Sequence, residues 1–318
     1  MKSIAKVRSL LIWLVLLVVL SITIALNWLR WDSGLPRADW FSQRHGQIES
    51  VIATESITVY GQLLESVQLI SDSGLQVSFR IIRKVEYDAP LPVLMILGGY
   101  RTGSDAVELF DDVGDKAIVG VEYPYNGPKK LKGMIAIAKA IPLARQAILD
   151  TTPAVLLILD WLADQPWVDK KGIIVVGASL GVPFAASAAA LDERISAVML
   201  VHGAADNRLW FQKQVARRID TEFLHYPLAT ILDWLAYGPT FDTKKHIATV
   251  SPRPVLIIGA RDDERIPTGQ TELLFDAARD PKRLRWTEGR HIQTNRNEIV
   301  EELLRIAYDE LPFLVGDE

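Results

Sequence analysis

Apolar and polar positions follow three successive patterns along the chain. The first is a run without charge, "LLIWLVLLVVLSITIALNWL" (Leu10 to Leu29), whose 20 residues are enough to cross about 30 Å of hydrocarbon as a helix. The second starts at Glu65, where "ESVQLI", the turn "SDSG" and "LQVSFRIIRK" alternate with period two and predict a β-hairpin. The third fills the remainder with short apolar runs separated by helical stretches. The runs are Val93–Leu97, Lys116–Tyr123, Gly172–Val176, Ile195–Val201, Val255–Gly259 and the weaker Arg283–Glu288. Helical patterns between and after them include "AVLLILDWLADQ", "TELLFDAARD" and "NEIVEELLRIAYDEL". Continuous Val/Ile/Leu runs alternating with helices predict an α/β fold, a parallel sheet covered on both faces, entered through the antiparallel hairpin.

These patterns divide the chain. Residues 1–8 form a tail, 9–29 a transmembrane anchor, 30–64 a tether and 65–318 the α/β domain, with a helical cap insertion at about 207–250. Lys2, Lys6 and Arg8 precede the span, which sets the N-terminus in the cytoplasm and the catalytic domain in the periplasm or an equivalent extracytoplasmic space. Trp13, Trp28 and Trp31 lie near its ends, where indole rings favour the interface. A cleaved signal peptide is the rival, but its apolar part is usually ~7–15 residues and ends at a small-x-small site, whereas Ala25 is followed by "LNWLRW". The tether has turn residues and scattered charge without periodicity, a short helix at most, and its expected role is reach.

Composition narrows the chemistry. A chain of 318 residues, 49% hydrophobic and 23% charged, builds one large domain with a full core. Its net charge of -4, with mixed signs and no basic stripe, argues against a nucleic-acid partner. The absence of cysteine excludes disulfides, thiolate nucleophiles and thiolate metal sites. Five histidines remain: His45, His202, His225, His246 and His291.

In "GIIVVGASLG" (Gly172 to Gly181) a strand buried on both faces must turn at once into the helix near "VPFAASAAA". Glycine at both ends lets the chain pass close to other backbone, and the sharp turn pushes Ser179 out at the strand's carboxyl end. There its hydroxyl can meet a histidine, while the N–H of Leu180 can face an oxyanion.

With these residues the chain resembles the α/β-hydrolase superfamily. "DWLADQPWVDKKGIIVVGASLG" looks like the stretch before the nucleophile in its dienelactone-hydrolase and prolyl-oligopeptidase-like branches. The resemblance covers residues 65–318 in element order, and "LGGYRTG", "GARDDERIP" and "EGRH" also carry it. It implies a mostly parallel sheet of about eight strands with chemistry at the strands' carboxyl ends, and no particular substrate.

A nucleophilic serine needs a base, and a neutral imidazole can accept and return a proton near neutral pH. His291, in "WTEGRHIQ" before the terminal helix, stands where superfamily members carry their histidine. His202, closing the run "AVMLVHG", is the competitor, with a packed, backbone-bonded role as its plainer explanation. For the orienting acid, superfamily members commonly have Asp-x-x-(Val/Ile)-Pro. Counting back from Ile266-Pro267 selects Asp263, whereas counting forward from Gly259 reaches Asp262, and Asp206 lies where some members place the acid. Asp263 is preferred because the Ile-Pro anchor fixes the loop's exit. Gly98 and Gly99 occupy the His-Gly-type oxyanion loop, with leucine in place of histidine, so the N–H of Gly99 or Tyr100 is expected to join that of Leu180. Arg101 fits equally an acidic substrate group or a pair with Glu122.

Glu288 and His291 have no third ligand at matching spacing, and neither a metal nor an organic cofactor is expected. The cap carries Trp210, Phe211, Phe223, Tyr226, Trp234, Tyr237 and Phe241, which suit either a roof over an apolar acyl pocket or ordinary helix packing. The reading is therefore a membrane-anchored serine hydrolase acting on carboxylic esters, with a small-molecule ester as its substrate partner and no size fixed for it. A peptidase or acyltransferase with the same machinery, and a catalytically idle fold serving as a membrane-tethered binding module, are the alternatives.

Overall fold

The computed structural model describes residues 2–58, 61–99, 102–128, 130 and 132–316. The apolar N-terminus forms one long helix, α1 (Lys2–Ser33), whose stretch from Arg8 onward is long and apolar enough to span a membrane. It is followed by α2 (Ala38–His45) and β1 (Ile48–Ile57), then by the hairpin β2 (Leu63–Ser71) and β3 (Gln76–Arg83). Next come β4 (Leu91–Leu97), a 3₁₀ turn at Gly103–Leu109, β5 (Ala117–Val121), the 30-residue α3 (Met134–Ala163) and β6 (Val168–Ala178). The second half continues with α4 (Val182–Leu191), β7 (Ala197–Val201), the cap helices α5 (Asn207–Ala216), α6 (His225–Leu235) and α7 (Thr243–Ile247), and β8 (Val255–Ala260). It closes with α8 (Gln270–Ala277), β9 (Lys282–Thr287), α9 (Asn297–Asp309) and α10 (Leu311–Val315).

The sheet runs β1-β2-β3-β5-β4-β6-β7-β8-β9, antiparallel from β1 to β5 and parallel from there to β9. Its strands are apolar at consecutive positions because both faces are covered. In β6, Ile173 and Val175 face a core closed by α2, α3 and α4, while Ile174 and Val176 face one closed by α9 and α10. Chain order reverses around β4, which lies between β5 and β6, so the carboxyl ends of β4 and β6 adjoin at the crevice where such sheets bind ligands.

The described sheet has nine strands where about eight were expected, because the segment 30–64 departs from the expected tether. It contains α2, β1 and the start of β2. Phe41 of α2 is buried against Phe241, and Arg44 makes a two-pronged ion pair with Asp150 of α3 at 2.7 and 2.9 Å. Strand β1 is exposed on both faces and held by its ladder to β2, so it has no apolar stripe to reveal it. The last turn of α1 also belongs to the body: Leu29 and Ser33 are buried, and Thr240 donates to the carbonyl of Ser33.

Candidate active site

The site is built on the turn between β6 and α4. Ser179 follows the last residue of β6 and has a φ of 55°, a left-handed conformation that a non-glycine residue adopts at a cost of about 1–3 kcal/mol. Packing enforces that turn. A Cβ on Gly177 would lie 2.7 Å from Cβ of Ala185, and one on Gly181 would overlap the carbonyl oxygen of Leu97 at the end of β4. Both flanking glycines are thus required by the close passage of β4, β6 and α4, and Ser179 is lifted out between them.

His291 lies in the loop between β9 and α9 and is buried. Its Nε2 is 2.8 Å from Oγ of Ser179, and its Nδ1 is 2.8 Å from Oδ2 of Asp263. The other carboxylate oxygen of Asp263 accepts the backbone N–H groups of Arg265 and Ile266, each at 2.8 Å. Burial acts to raise the pKa of Asp263, but the hydrogen bonds from His291 and the two N–H groups outweigh it and hold the carboxyl below its ordinary value.

Two further groups, which nothing in the sequence singled out, hold the His291 loop. Glu264 accepts the backbone N–H of His291 at 3.0 Å and pairs with Arg296 at 2.9 Å, while Arg296 also donates to the carbonyl of His291 at 2.5 Å. Burial would raise Glu264, yet these partners bring its pKa down to about 2. On the other side, Nδ1 of His202 accepts the N–H of Ile292 at 2.9 Å, so its proton sits on Nε2, which meets Oγ1 of Thr287 at 2.9 Å. Burial, then repulsion from His291, pushes the pKa of His202 down to about 4 and keeps it neutral.

The alternative residues are engaged elsewhere. Asp262 is exposed and its backbone N–H bonds to Gly289. Asp206 caps α5 by accepting the N–H of Leu209 and lies 3.6 Å from Lys244. His45 pairs with Asp160, and His225 and His246 donate to the carbonyls of Ile219 and Thr240. His202, Asp263 and His291 bring potential metal-ligand atoms within 4.8 Å of one another, but those atoms take part in the hydrogen bonds just described. Gly99 lies in the loop after β4, its carbonyl accepting the N–H groups of Thr102 and Gly103, while Tyr100 and Arg101 lie outside the described residues. Tyr123 braces this loop by donating to the carbonyl of Gly98 at 2.6 Å.

Beside Ser179 opens a cavity of about 70 Å³ with apolar walls that include Phe184, Trp210, Phe211, Phe241 and Ile266. Three of the cap aromatics therefore line it. Tyr237 is instead buried under the guanidinium of Arg145, and Phe223 and Tyr226 are exposed.

The prolyl oligopeptidase family model matches residues 150–303, the part of the chain that carries Ser179, Asp263 and His291. Acetyl xylan esterase 1 from a Thermoanaerobacterium species superposes with a TM-score of 0.61 at 16% identity, covering 89% of this chain and 95% of its own. An acetyl xylan esterase from a Paenibacillus species gives 0.61 at 17% identity, over 86% of this chain and 92% of its own. The 2,6-dihydroxy-pseudo-oxynicotine hydrolase gives 0.57 at 19% identity, over 80% and 68%. No curated protein matches the sequence. The chain has the α/β-hydrolase fold. The family match, taken with the serine-to-imidazole contact, puts it among the serine hydrolases built on that fold.

Proposed function

We propose that the protein is a membrane-anchored hydrolase of carboxylic esters, with Ser179 as nucleophile, His291 as base and Asp263 as orienting acid. The observation that carries this reading is the pair of 2.8 Å contacts through the two nitrogens of His291. Ser179 Oγ attacks the acyl carbon while its proton passes to Nε2 of His291. The oxyanion is held by the N–H of Leu180 together with that of Gly99 or Tyr100, a reading supported by the end of β4, two residues before Gly99, packing against Gly181 beside Ser179. As the tetrahedral species collapses, the imidazolium gives its proton to the departing alkoxide and an acyl-enzyme remains. Water, deprotonated by His291, then adds to the acyl carbon, and as the bond from that carbon to Oγ breaks the proton returns from Nε2 to Ser179, releasing the carboxylic acid. Asp263 fixes the tautomer in which Nδ1 carries the proton.

The apolar cavity suits an apolar acyl group, and the two acetyl xylan esterases bear names consistent with ester cleavage. The family-model match favours a peptidase as the second reading. Helix α1 serves as an uncleaved anchor, with its basic end in the cytoplasm and the domain outside. Labelling of the full chain in detergent with a fluorophosphonate tests the nucleophile. An adduct lost in Ser179→Ala is expected, and a wild type that takes no label sinks the enzyme reading. Hydrolysis of aryl esters without hydrolysis of matched anilides separates esterase from peptidase.

A further inference from the structure

Helix α3 carries an inverted pattern over its first half. The residues that face the protein are alanines: Ala140 and Ala147 are buried, and Ala136 and Ala144 half-buried. Most of the residues that face outward are large and apolar, with Met134 85% and Ile135 76% exposed, and Ile137, Ile141 and Leu143 also exposed, beside the smaller Ala138 and the cation of Lys139. A helix on a water-facing surface has the reverse arrangement, apolar side in and polar side out. A contiguous exposed patch of this kind marks an interaction surface.

The position of the patch identifies what covers it. Arg145, within one turn of Ile141 and Leu143, binds Asp32 near the end of α1 at 2.5 Å and donates to the carbonyls of Trp234 and Leu235 in α6. Arg145 and Asp32 are only 13% and 14% exposed. The patch therefore begins within about 6 Å, along the helix axis, of the point where the apolar N-terminal helix is fastened to the body. Lys130 and Lys132 just precede it and Lys139 lies within it, all three as exposed cations, the charge that anionic headgroups attract. On the far side of Arg145, Ile148 lines the cavity beside Ser179.

We propose that residues 134–143 of α3 are a membrane-contact surface, lying in the headgroup region of the bilayer that α1 spans and holding the Ser179 cavity close to that bilayer. The proposal rests on the reading of α1 as an anchor. It makes the enzyme's natural esters lipophilic molecules partitioned in the membrane, met by a pocket one helical segment away from the surface.

The absence of cysteine makes the test clean, since one introduced thiol can be labelled. Full-length Ile137→Cys, Leu16→Cys and Lys170→Cys, each carrying an environment-sensitive nitrobenzoxadiazole, are reconstituted in vesicles containing phosphatidylglycerol. Quenching by doxyl-labelled lipid and by aqueous iodide is then measured. The probes at Ile137 and Leu16 should be quenched by the lipid and shielded from iodide on the order of five-fold relative to exposed Lys170. If Leu16 is quenched by lipid but Ile137 meets iodide as Lys170 does, the patch faces water and the proposal is wrong while the anchor stands. Shielding of Ile137 without lipid quenching means that a second copy or another protein covers it, which also overturns the proposal. An unquenched Leu16 removes the anchor and this proposal together, and leaves the ester chemistry at Ser179 untouched.

Discussion

Ile292 donates its backbone N–H to Nδ1 of His202 at 2.9 Å, one residue beyond His291. A histidine at the end of a neighbouring strand thus holds the loop that carries the proposed base, without touching the nucleophile. His202 has a φ of 48°, and asparagine both tolerates that conformation and can offer an oxygen near the position of Nδ1. His202→Asn should therefore keep kcat within a few-fold of wild type. His202→Ala leaves the Ile292 N–H unpaired, and misplacement of His291 should lower kcat on the order of 10- to 100-fold with little change in KM. Equal kinetics for the two variants would remove the positioning role. A folded His202→Ala enzyme that is silent, alongside an active His291→Ala, would reassign the base.

Neighbouring aspartates give a sharp contrast. Asp263 contacts His291, whereas Asp262 is exposed and Asp206 caps α5. Asp263→Asn should leave the fold intact, as judged by circular dichroism, and reduce kcat by about 10⁴, the size of the same change in the serine-protease precedent. Asp262→Asn and Asp206→Asn should cost less than about three-fold in kcat, with Asp206→Asn lowering stability by at most about 1 kcal/mol because asparagine also caps helices. A large kinetic loss confined to either of these two would displace Asp263.

Acid should destabilise the fold through His202. Its folded pKa of about 4 lies below its ordinary 6.5, so between those values the unfolded chain takes up a proton that the folded chain does not. The stabilising contribution is complete above pH 6.5 and is lost as pH falls toward 4, at no more than about 1.4 kcal/mol per pH unit. Glu264, lowered from 4.5 to about 2, continues the same trend at lower pH. Denaturant titrations in detergent across this range should show a shallower pH slope for His202→Asn than for wild type. Parallel slopes would mean that His202 is not the titrating group.

The junction of α1 with the body can be probed by cutting on either side of it. Deletion of residues 1–25 preserves Leu29, Asp32 and Ser33, and should leave the thermal midpoint within a few degrees of wild type. Deletion of residues 1–36 strands Arg145, whose other partners are backbone carbonyls and the face of Tyr237. The expected loss is about 2–4 kcal/mol, on the order of 10 °C for a domain of this size. Identical midpoints would show that the contact carries no weight in stability.

The sequence by itself determined the elements whose signal is local. Strands buried on both faces must be apolar at every position, which made β4 to β8 legible as continuous runs. The turn at Ser179 was legible because its two glycines answer to steric demands within a few residues. His291 and Asp263 were singled out through resemblance at loop positions, but choosing between Asp263 and Asp262 depends on the direction each side chain takes in a loop. Tertiary structure alone decided what depends on distant partners. Strand β1 exists because β2 offers an unpaired edge, and its own residues face solvent on both sides. The Arg145–Asp32 pair spans 113 positions, so no local pattern could reveal that the supposed tether is part of the body. The apolar outer face of α3 was hidden for the same reason: composition registers an apolar helix, and only packing distinguishes the alanines turned inward from the isoleucines left outside.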